Sequence, residues 1–359
     1  MILQGETIMP NYRLGELFCG PGGIAYGAIT ARIENPEFRI VHEWATDYDR
    51  DTCNTYIRNI CPDNPQSVIH EDIRRLDINR LGEIDALAFG FPCNDYSVVG
   101  EQQGMNGIFG PLYQYGVRAL EHYQPIWFLA ENVGGLRNAN DGEALTRILD
   151  ELRAANYTIT PHLYKFEEYG VPQARHRIII VGIHNDENVI FRVPSPAPYA
   201  DIDNTCRRAI EVPPIAPDAP NNERANQSDI VTERLNHIRP GENAFTADLP
   251  EHLRLNVRGA QISQIYKRLD PDKPAYTVTG SGGGGTHIYH WKEPRALTNR
   301  ERARLQTFPD TYIFEGGRES VRKQIGMAVP CDGARIIFEA ILNTFAGIEY
   351  DFVEPNINE

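Results

Sequence analysis

The chain has 359 residues, of which 41% are hydrophobic and 23% are charged, and its formal net charge is −14. The length corresponds to roughly two domains of ~150 residues, and the composition excludes a disordered chain, a collagen and a disulfide-stapled miniprotein. No apolar run approaches the ~18 residues of a membrane span, and the N-terminus lacks the pattern of a signal peptide. We therefore expect a cytoplasmic protein without a membrane partner.

Short apolar runs alternate with amphipathic stretches in the first half of the chain, which is typical of βαβ units and a parallel sheet. The apolar runs predict strands at Leu14–Phe18, Phe38–Trp44, Ile84–Phe91, Ile126–Ala130 and Arg177–Ile183. The amphipathic stretches predict helices at Ile24–Arg32, Asp49–Asn59, Leu112–His122 and Glu143–Ala155. The first half is therefore predicted to form an α/β domain.

The amino-acid composition changes after Ile183, because seven prolines lie from Pro194 to Pro220. Such a stretch predicts a domain boundary followed by a loop-rich second module. Helical patterns return at 298–306, which opens with a capping box, and at 332–345. We see no internal repeat or low-complexity tract.

Positive charge is concentrated late in the acidic chain, since residues 251–335 contain 14 Lys or Arg against 9 Asp or Glu. This segment contains the glycine run Ser281–Gly285. The segment fits nucleic acid docked on one face, and the glycine run fits close approach of a phosphate backbone. An unevenly solvated surface and a plain flexible connection are the alternatives.

The six cysteines are scattered, without a C-x-x-C pair or the Cys–His spacing of a zinc site, so we predict no metal. Cys93 stands out because it follows a buried strand and Pro92, at the end of the strand where open α/β sheets place ligands. A cysteine exposed there can reach the thiolate state that a nucleophile needs. A purely structural cysteine is the alternative.

The first predicted strand runs into glycines in the sequence LGELFCGPGG, ending at Gly23. Glycines let a ligand approach the backbone, and the following helix presents unpaired N–H groups. Asp47 and Tyr48 follow the next strand, where an acid can accept ribose hydroxyls and a ring can stack on adenine. These features predict an adenosine-containing cofactor, without separating a dinucleotide from S-adenosylmethionine. A surface acid beside a half-buried ring is the alternative.

Charged side chains mark two further strand ends. Glu131 follows an apolar strand, and burial there is expected to raise its pKa and let it hold a proton. Arg175 and Arg177 enter the strand RIIIVGI, and alternate strand residues share a face, so both are predicted to project together toward an anion or a carbonyl oxygen. Capping or salt-bridge roles are the alternatives for each residue alone.

The ordered motifs resemble those of the DNA cytosine-5 methyltransferases over nearly the whole chain. The motifs are ELFCGPGG, DIRRLD, GFPCNDYS, GPLYQYGVRALEHYQP, ENV, QARHR, RALTNRERARLQTFPD and QIGMAVP. The resemblance implies an α/β, Rossmann-like, S-adenosylmethionine-dependent methyltransferase domain with a smaller, loop-rich target-recognition domain. It implies a catalytic, cofactor-binding domain at 1–184, the target-recognition domain at 185–297, and a C-terminal segment at 298–359 that returns to the catalytic domain.

The resemblance also implies roles for individual residues. Cys93 would be the nucleophile, Glu131 would engage cytosine N3, and Arg175 and Arg177 would steady the cytosine and the thiolate. The S-adenosylmethionine pocket would be formed by Phe18, Cys19, Pro21, Gly23, Asp47, Tyr48, Asp72, Ile73, Gly90, Phe91, Pro92, Leu112, Met327 and Ala328.

The chain departs from the family pattern at four positions. Glu16 replaces the usual Asp, Asn94 the usual Gln, and Tyr96 the usual Phe. Met327 stands where the family has Asn, and a thioether cannot supply the hydrogen bonds of an amide. We expect this last change to affect cofactor affinity or the choice of methyl donor rather than the nucleophile.

The resemblance implies that the protein flips a cytosine out of double-stranded DNA and methylates its C5 atom, within a restriction-modification system. A cognate restriction endonuclease acting on the same site, a monomer on DNA and association with the nucleoid through DNA are expected. The alternatives are a tRNA methyltransferase of the same family, a nicotinamide oxidoreductase and a non-catalytic DNA-binding module.

Overall fold

The protein is represented by a computed structural model that describes residues 11–91, 112–256, 263–280, 282 and 284–357, with the backbone alone of 138–141. The chain folds into two compact units. Unit 1 contains residues up to Lys165, His176–Ala197 and Cys331–Glu359, and unit 2 contains Phe166–Arg175 and Pro198–Pro330. Among the residues described, no helix combines the length and the apolar character that a membrane-spanning segment needs.

Unit 1 is built on a large twisted sheet flanked by helices. Its strands are β1 Asn11–Leu17, β2 Arg32–Glu34, β3 Glu37–Asp47, β4 Val68–His70, β5 Ala86–Gly90, β6 Trp127–Val133, β7 Tyr157–Lys165, β9 His176–His184, β10 Val193–Pro194 and β12 Phe352–Val353. Its helices are α1 Gly23–Thr30, α2 Arg50–Ile60, α3 Tyr113–Tyr123, α4 Glu143–Ala154 and α9 Cys331–Ala346.

The main sheet has the strand order β2-β3-β1-β5-β6-β9-β7, with β4 also paired to β3. β1 pairs in parallel with β3 and with β5, and β5 pairs in parallel with β6. After β1 the chain therefore forms β3 on one side of β1 and later forms β5 on the other side. Such a topological switch point opens a crevice beyond the carboxyl ends of the strands, where α/β folds bind ligands.

The prediction of a parallel sheet is wrong for one side, because β9 runs antiparallel to both β6 and β7. The sequence patterns did not indicate β7, in which buried, half-buried and exposed residues follow no regular alternation. β9 lies between two neighbours and is buried over most of its length. The continuous apolar run RIIIVGI therefore reflects a central strand and says nothing of strand direction.

Most predicted helices and strands are confirmed within a few residues. The predicted helix ending at Arg32 is too long, since α1 ends at Thr30 and Arg32 begins the antiparallel strand β2. The predicted strand ending at Ala130 is too short, because β6 continues to Val133. Glu131 is consequently a strand residue whose position is fixed by the sheet ladder.

α1 and α9 pack closely in unit 1, and a glycine allows that approach. A Cβ atom at Gly27 would lie 2.6 Å from Cβ of Ala334 and 2.7 Å from the carbonyl oxygen of Cys331. α1 follows the glycine turn directly, so the packing of α9 fixes the helix that begins at this turn.

Unit 2 contains shorter elements around its own core. They are β8 Gln173–Ala174, which pairs with β11 Ala275–Tyr276, and the helices α5 Cys206–Glu211, α6 Asp229–Asn236, α7 Asn299–Leu305 and α8 Arg318–Met327. The predicted capping box is confirmed, because Thr298 accepts a hydrogen bond from the backbone of Glu301 and the Glu301 side chain accepts one from the backbone of Thr298. Leu235, Leu253 and Tyr289 belong to the core of this unit.

The two units do not coincide with the three domains predicted from the sequence. Residues 298–330 belong to unit 2, and only the residues from Cys331 onward belong to unit 1. Residues 166–175 leave the first part of the chain and join unit 2. The functional names given to the three predicted segments stay a prediction.

Gly27→Ala tests the α1–α9 contact. The added methyl group meets backbone atoms of α9 that cannot rotate away, so we expect the free energy of unfolding to fall by about 1–3 kcal/mol. Chemical denaturation measures the change. Thr30→Ala, a change of a half-buried side chain on the same helix, is the control and should stay within about 0.5 kcal/mol. Equal stability of Gly27→Ala and the unmodified protein would contradict the close packing.

Candidate functional site

Four strands of unit 1 bring their carboxyl ends to one edge of the sheet. In the ladder, Leu17 of β1 lies opposite Thr46 of β3 and Phe89 of β5, and Gly90 of β5 lies opposite Glu131 of β6. The residues that follow Leu17 and Thr46 therefore lie in the same row as the Gly90–Glu131 pair. This shared edge, which we call the carboxyl edge, contains most of the residues that the sequence singled out.

The turn after β1 uses left-handed backbone at Phe18, Gly20 and Gly22, with φ of 55°, 56° and 90°. Gly22 caps α1 without a side-chain hydrogen bond, and the first turn of α1 has no acidic residue. The N-terminus of this helix therefore keeps its capacity to receive negative charge or a hydrogen-bond acceptor. Cys19 is buried beneath the turn and donates its backbone N–H to the carbonyl of Thr46 at 3.0 Å.

Asp47 ties the glycine turn to β3. Its two carboxylate oxygens accept backbone N–H groups from Gly20 at 3.0 Å and from Asp49 at 2.9 Å. Burial raises the pKa of Asp47 above its ordinary value, and these backbone hydrogen bonds oppose the shift. Tyr48, the next residue, is 58% exposed. An exposed ring therefore follows a carboxylate that two backbone N–H groups hold in place.

The other expected pocket residues of unit 1 divide into two groups. Ile73, Phe91 and Leu112 are buried members of the main core. Asp72 follows β4 and forms an ion pair with Arg74, which lowers the pKa of Asp72 to about 2. Its carboxylate is therefore ionised at neutral pH and already paired, so a contact with an adenine edge would have to use its remaining acceptor capacity or its backbone.

Glu131 and Arg177 form an ion pair at the carboxyl edge. Nε of Arg177 lies 2.8 Å from Oε1 of Glu131, and both side chains are 12% exposed. Ile179 lies opposite Glu131 in the β6–β9 ladder, so Arg177 is its diagonal neighbour on the same face. A Cβ atom at Gly90 would lie 3.2 Å from the other carboxylate oxygen, so glycine at this position leaves room for the Glu131 side chain.

Arg175 does not share a strand face with Arg177, and the prediction that they project together from one strand is wrong. β9 begins at His176, while Arg175 belongs to unit 2 and is completely buried there. Its guanidinium donates to the carbonyl oxygens of Val278 and Gly326, each at 3.0 Å. The backbone carbonyls of unit 2, rather than the strand alternation, determine where this side chain points.

Met327 and Ala328 also belong to unit 2, at the end of α8. Met327 is 57% exposed, whereas Ala328 is buried. A Cβ atom at the preceding Gly326 would collide with the backbone of Gly280 at 1.9 Å, so only glycine permits this crossing. The position that differs from the family motif is therefore a solvent-exposed side chain next to a tightly packed backbone.

Two expected site residues, Pro92 and Cys93, lie outside the described residues, as do Asn94 and Tyr96. The five described cysteines, Cys19, Cys53, Cys61, Cys206 and Cys331, are buried. Burial raises the pKa of the Cys19 and Cys331 thiols well above the ordinary value. These two described thiols therefore lack the ionised state that a nucleophile needs.

A buried hydrogen-bonded chain behind the glycine turn was not found from the sequence. Tyr56 donates to Glu16 at 3.0 Å, His42 contacts the Tyr56 hydroxyl at 3.2 Å, and Ser67 contacts the other ring nitrogen of His42 at 2.7 Å. Burial raises the pKa of Glu16 to about 8 and lowers that of His42 to about 4. The only sequence signal was a glutamate inside an apolar strand, which did not identify its partners.

Comparison with known proteins identifies the family. Residues 12–343 match the model of the C-5 cytosine-specific DNA methylase family. The chain is 58% identical to the Type II methyltransferase M.BbvI of Brevibacillus brevis, over 97% of this chain and 94% of that protein. It is 37% identical to M.NgoFVII of Neisseria gonorrhoeae, over 92% of this chain and 86% of that protein.

Solved structures show the same fold at low sequence identity. A prophage-encoded candidate DNA modification methyltransferase of E. coli aligns with a TM-score of 0.69 and 21% identity, over 93% of this chain and 99% of that one. Spodoptera frugiperda DNMT2 aligns with a TM-score of 0.60 and 15% identity, over 93% and 99%. The fold is thus the Rossmann-like methyltransferase fold. The chain belongs to the C-5 cytosine-specific DNA methylase family and is a DNA (cytosine-5-)-methyltransferase of the bacterial restriction-modification type.

Glu16→Gln tests the buried acid behind the glycine turn. Because the pKa is near 4.5 in the unfolded chain and about 8 in the folded one, the folded protein holds a proton that the unfolded chain has released between these pH values. The free energy of unfolding contributed by Glu16 therefore decreases as pH rises through this window, by on the order of a few kcal/mol. Chemical denaturation at a series of pH values should show a shallower decrease in Glu16→Gln.

The matched control is Glu83→Gln, since Glu83 is an exposed glutamate of the same unit. It should keep the pH dependence of the unmodified protein. An unchanged slope in Glu16→Gln would show that Glu16 is ionised throughout, and would contradict the buried neutral state.

Proposed function

We propose that this DNA (cytosine-5-)-methyltransferase everts a target cytosine from duplex DNA, attacks C6 with Cys93, and receives the methyl group for C5 from S-adenosylmethionine bound at the carboxyl edge. The observation that carries the proposal is the register of β1, β3, β5 and β6. It aligns the glycine turn, Asp47, Gly90 and the Glu131–Arg177 pair along one edge of the sheet. A base buried in a duplex is inaccessible to this chemistry, so eversion would cost a few kcal/mol.

The described residues of unit 1 fit S-adenosylmethionine, which supplies an activated methyl group when bound. The uncapped N-terminus of α1 suits the carboxylate of the methionine part. Asp47 is held in place by two backbone N–H groups and keeps lone pairs for ribose hydroxyls, while the exposed ring of Tyr48 suits stacking on adenine. Gly20 has nothing within 4 Å of an added Cβ position, which leaves space above the turn.

Glu131 and Arg177 would act on the ring of the everted cytosine. The aromatic ring is a poor nucleophile at C5, and thiolate addition at C6 converts C5 into an enamine carbon that can attack a methyl donor. A carboxyl group at N3 stabilises the charge that develops as sulfur adds. In this proposal Arg177 is a positioning residue, because its guanidinium holds the Glu131 carboxyl group in place at the carboxyl edge. Loss of the C5 proton and expulsion of the Cys93 sulfur then restore the ring.

Unit 2 is proposed to recognise the DNA sequence. Its short elements and long connections provide the loops that duplex readout needs, and the positive excess of residues 251–335 falls mainly within it.

We propose that the protein acts as a monomer on double-stranded DNA and protects the site cut by a cognate restriction endonuclease. A tRNA substrate remains the alternative within the resemblance, and methylation of duplex DNA and tRNA side by side decides between them.

Cys93→Ser tests the nucleophile. The hydroxyl group of serine has a far higher pKa than a thiol, so methyl transfer should fall by orders of magnitude while DNA binding persists. Bisulfite sequencing of DNA from cells that express each form measures methylation and identifies the recognised site. Cys61→Ser, which changes a buried cysteine at the end of α2, should retain methylation. Normal methylation by Cys93→Ser would remove the nucleophile assignment.

Glu131→Gln tests the carboxyl group of the ion pair. An amide cannot deliver a proton to N3, so addition at C6 should slow by about 10²–10⁴-fold, the usual contribution of general acid–base catalysis. The covalent trapping rate on duplex DNA containing 5-fluorocytosine reports this step, and the affinity for that DNA should stay unchanged. Glu143→Gln, at the exposed start of α4, is the control. Unchanged trapping by Glu131→Gln would exclude a role in the addition.

A further inference from the structure

Unit 2 contains a cluster of cationic and imidazole side chains that the proposed chemistry does not use. We call it the Arg302 cluster, and it consists of Arg302 on α7, Arg322 on α8, and His287, which follows the glycine run. Each has a buried nitrogen without a hydrogen-bond partner among the described residues, namely Nε of Arg302, Nε of Arg322 and Nδ1 of His287. Arg302 is 2% exposed and Arg322 is 9% exposed.

Two other buried arginines of unit 2, Arg268 and Arg300, are bonded to backbone carbonyls. Arg268 donates to His290, Leu235 and Ile238, and Arg300 donates to Pro220, Pro309 and Tyr312. Such hydrogen bonds are what a buried guanidinium requires in a folded protein. In the Arg302 cluster, Nε of Arg302 and Nε of Arg322 have no such acceptor, and a buried donor without an acceptor indicates a place for an acceptor from outside the chain.

Negative charge near the cluster is largely committed elsewhere. Glu301, the neighbour of Arg302 in sequence, accepts hydrogen bonds from Arg295 and from the backbone of Thr298. Glu319, whose side chain is 76% exposed, accepts hydrogen bonds from both terminal nitrogens of Arg322 and leaves Nε of Arg322 without a partner. Burial, followed by the charge of Arg322, lowers the pKa of Arg302 to about 10, so Arg302 is still charged at neutral pH.

Two of the unpartnered nitrogens, those of Arg322 and His287, lie beside Gly282, which is partly exposed. A Cβ atom at Gly282 would lie 3.7 Å from Nε of Arg322 and 3.8 Å from Nδ1 of His287. Gly282 has no side chain to block these donors, and the nearby Thr286 is exposed at the surface. An acceptor that reaches Gly282 from solvent can therefore meet both nitrogens, and the charge of Arg302 is close enough to act on Arg322 and His287.

We propose that the Arg302 cluster binds one phosphodiester group of the DNA backbone, an assignment that rests on the proposed function. A guanidinium and an imidazole beside a glycine suit the oxygens of a tetrahedral anion, with the neutral imidazole donating from a protonated Nδ1. A buried pair of cations is screened by salt less than an exposed pair, and it attracts a phosphate whatever the neighbouring base. The cluster thus positions the duplex on unit 2 and carries no sequence information.

Arg302→Met tests this site, because methionine fills a similar length of apolar space and removes the charge. The affinity for a short fluorescent duplex is measured by anisotropy from about 50 to 200 mM NaCl, where affinity falls steeply with salt for each phosphate contact. We expect the slope of log K against log salt to decrease by about one unit. We also expect the melting temperature of the free protein to rise, since an unsatisfied buried charge is removed.

Arg207→Met is the matched control, because Arg207 is an exposed arginine of unit 2 already paired with Asp272. It changes the net charge equally and should keep both the slope and the affinity. If Arg302→Met is shown by circular dichroism not to fold, Arg322→Gln takes its place, since its partner Glu319 is exposed and tolerates the loss.

The outcomes separate this proposal from the proposed function. A steep slope that is unchanged in Arg302→Met would overturn the phosphate site and leave DNA methylation intact. Loss of affinity for one duplex sequence, with the slope unchanged, would show base readout and would also overturn it. Failure of the unmodified protein to bind any duplex would overturn the proposed function itself, and this site with it.

Discussion

The parallel pairing of β1 with strands on both of its sides is the constraint on which the site depends. Because β1 pairs with β3 and with β5, the turn after β1 opens at the switch point of the sheet. The ladder then extends through Gly90 and Glu131, which places a carboxyl group in the row that begins at the glycine turn. α9, from the far end of the chain, packs on α1 at Gly27 and fixes the helix behind that turn.

Three buried ionisable side chains of this molecule differ in their partners and in their protonation. Glu131 is matched by Arg177 at 2.8 Å, so its carboxyl group has a cationic partner on the neighbouring strand. Glu16 accepts a hydrogen bond from Tyr56 and is kept neutral by burial. It belongs to the buried hydrogen-bonded chain behind the glycine turn that follows β1. Arg302 remains charged without a partner for its Nε atom, which is the arrangement that an external anion would complete.

The sequence predicted strand ends better than it predicted side-chain directions. The apolar runs located β1, β3, β5, β6 and β9, because a strand buried on both faces needs continuous apolar residues. The same run could not show that β9 is antiparallel, since burial does not depend on direction. Nor could it show that Arg175 turns into unit 2, because the carbonyls that bind it come from residues more than a hundred positions away.

By itself, the sequence determined the class of protein and the types of residue at the carboxyl edge. Glycine turns, strand ends and ordered motifs are local features, so they can be recognised from short stretches of sequence. Tertiary structure alone decided which polar side chains meet: Arg177 with Glu131, Tyr56 with Glu16, and Arg322 with His287 beside Gly282. These contacts join residues that are distant in sequence. They depend on strand register and helix packing, which no local pattern of residues records.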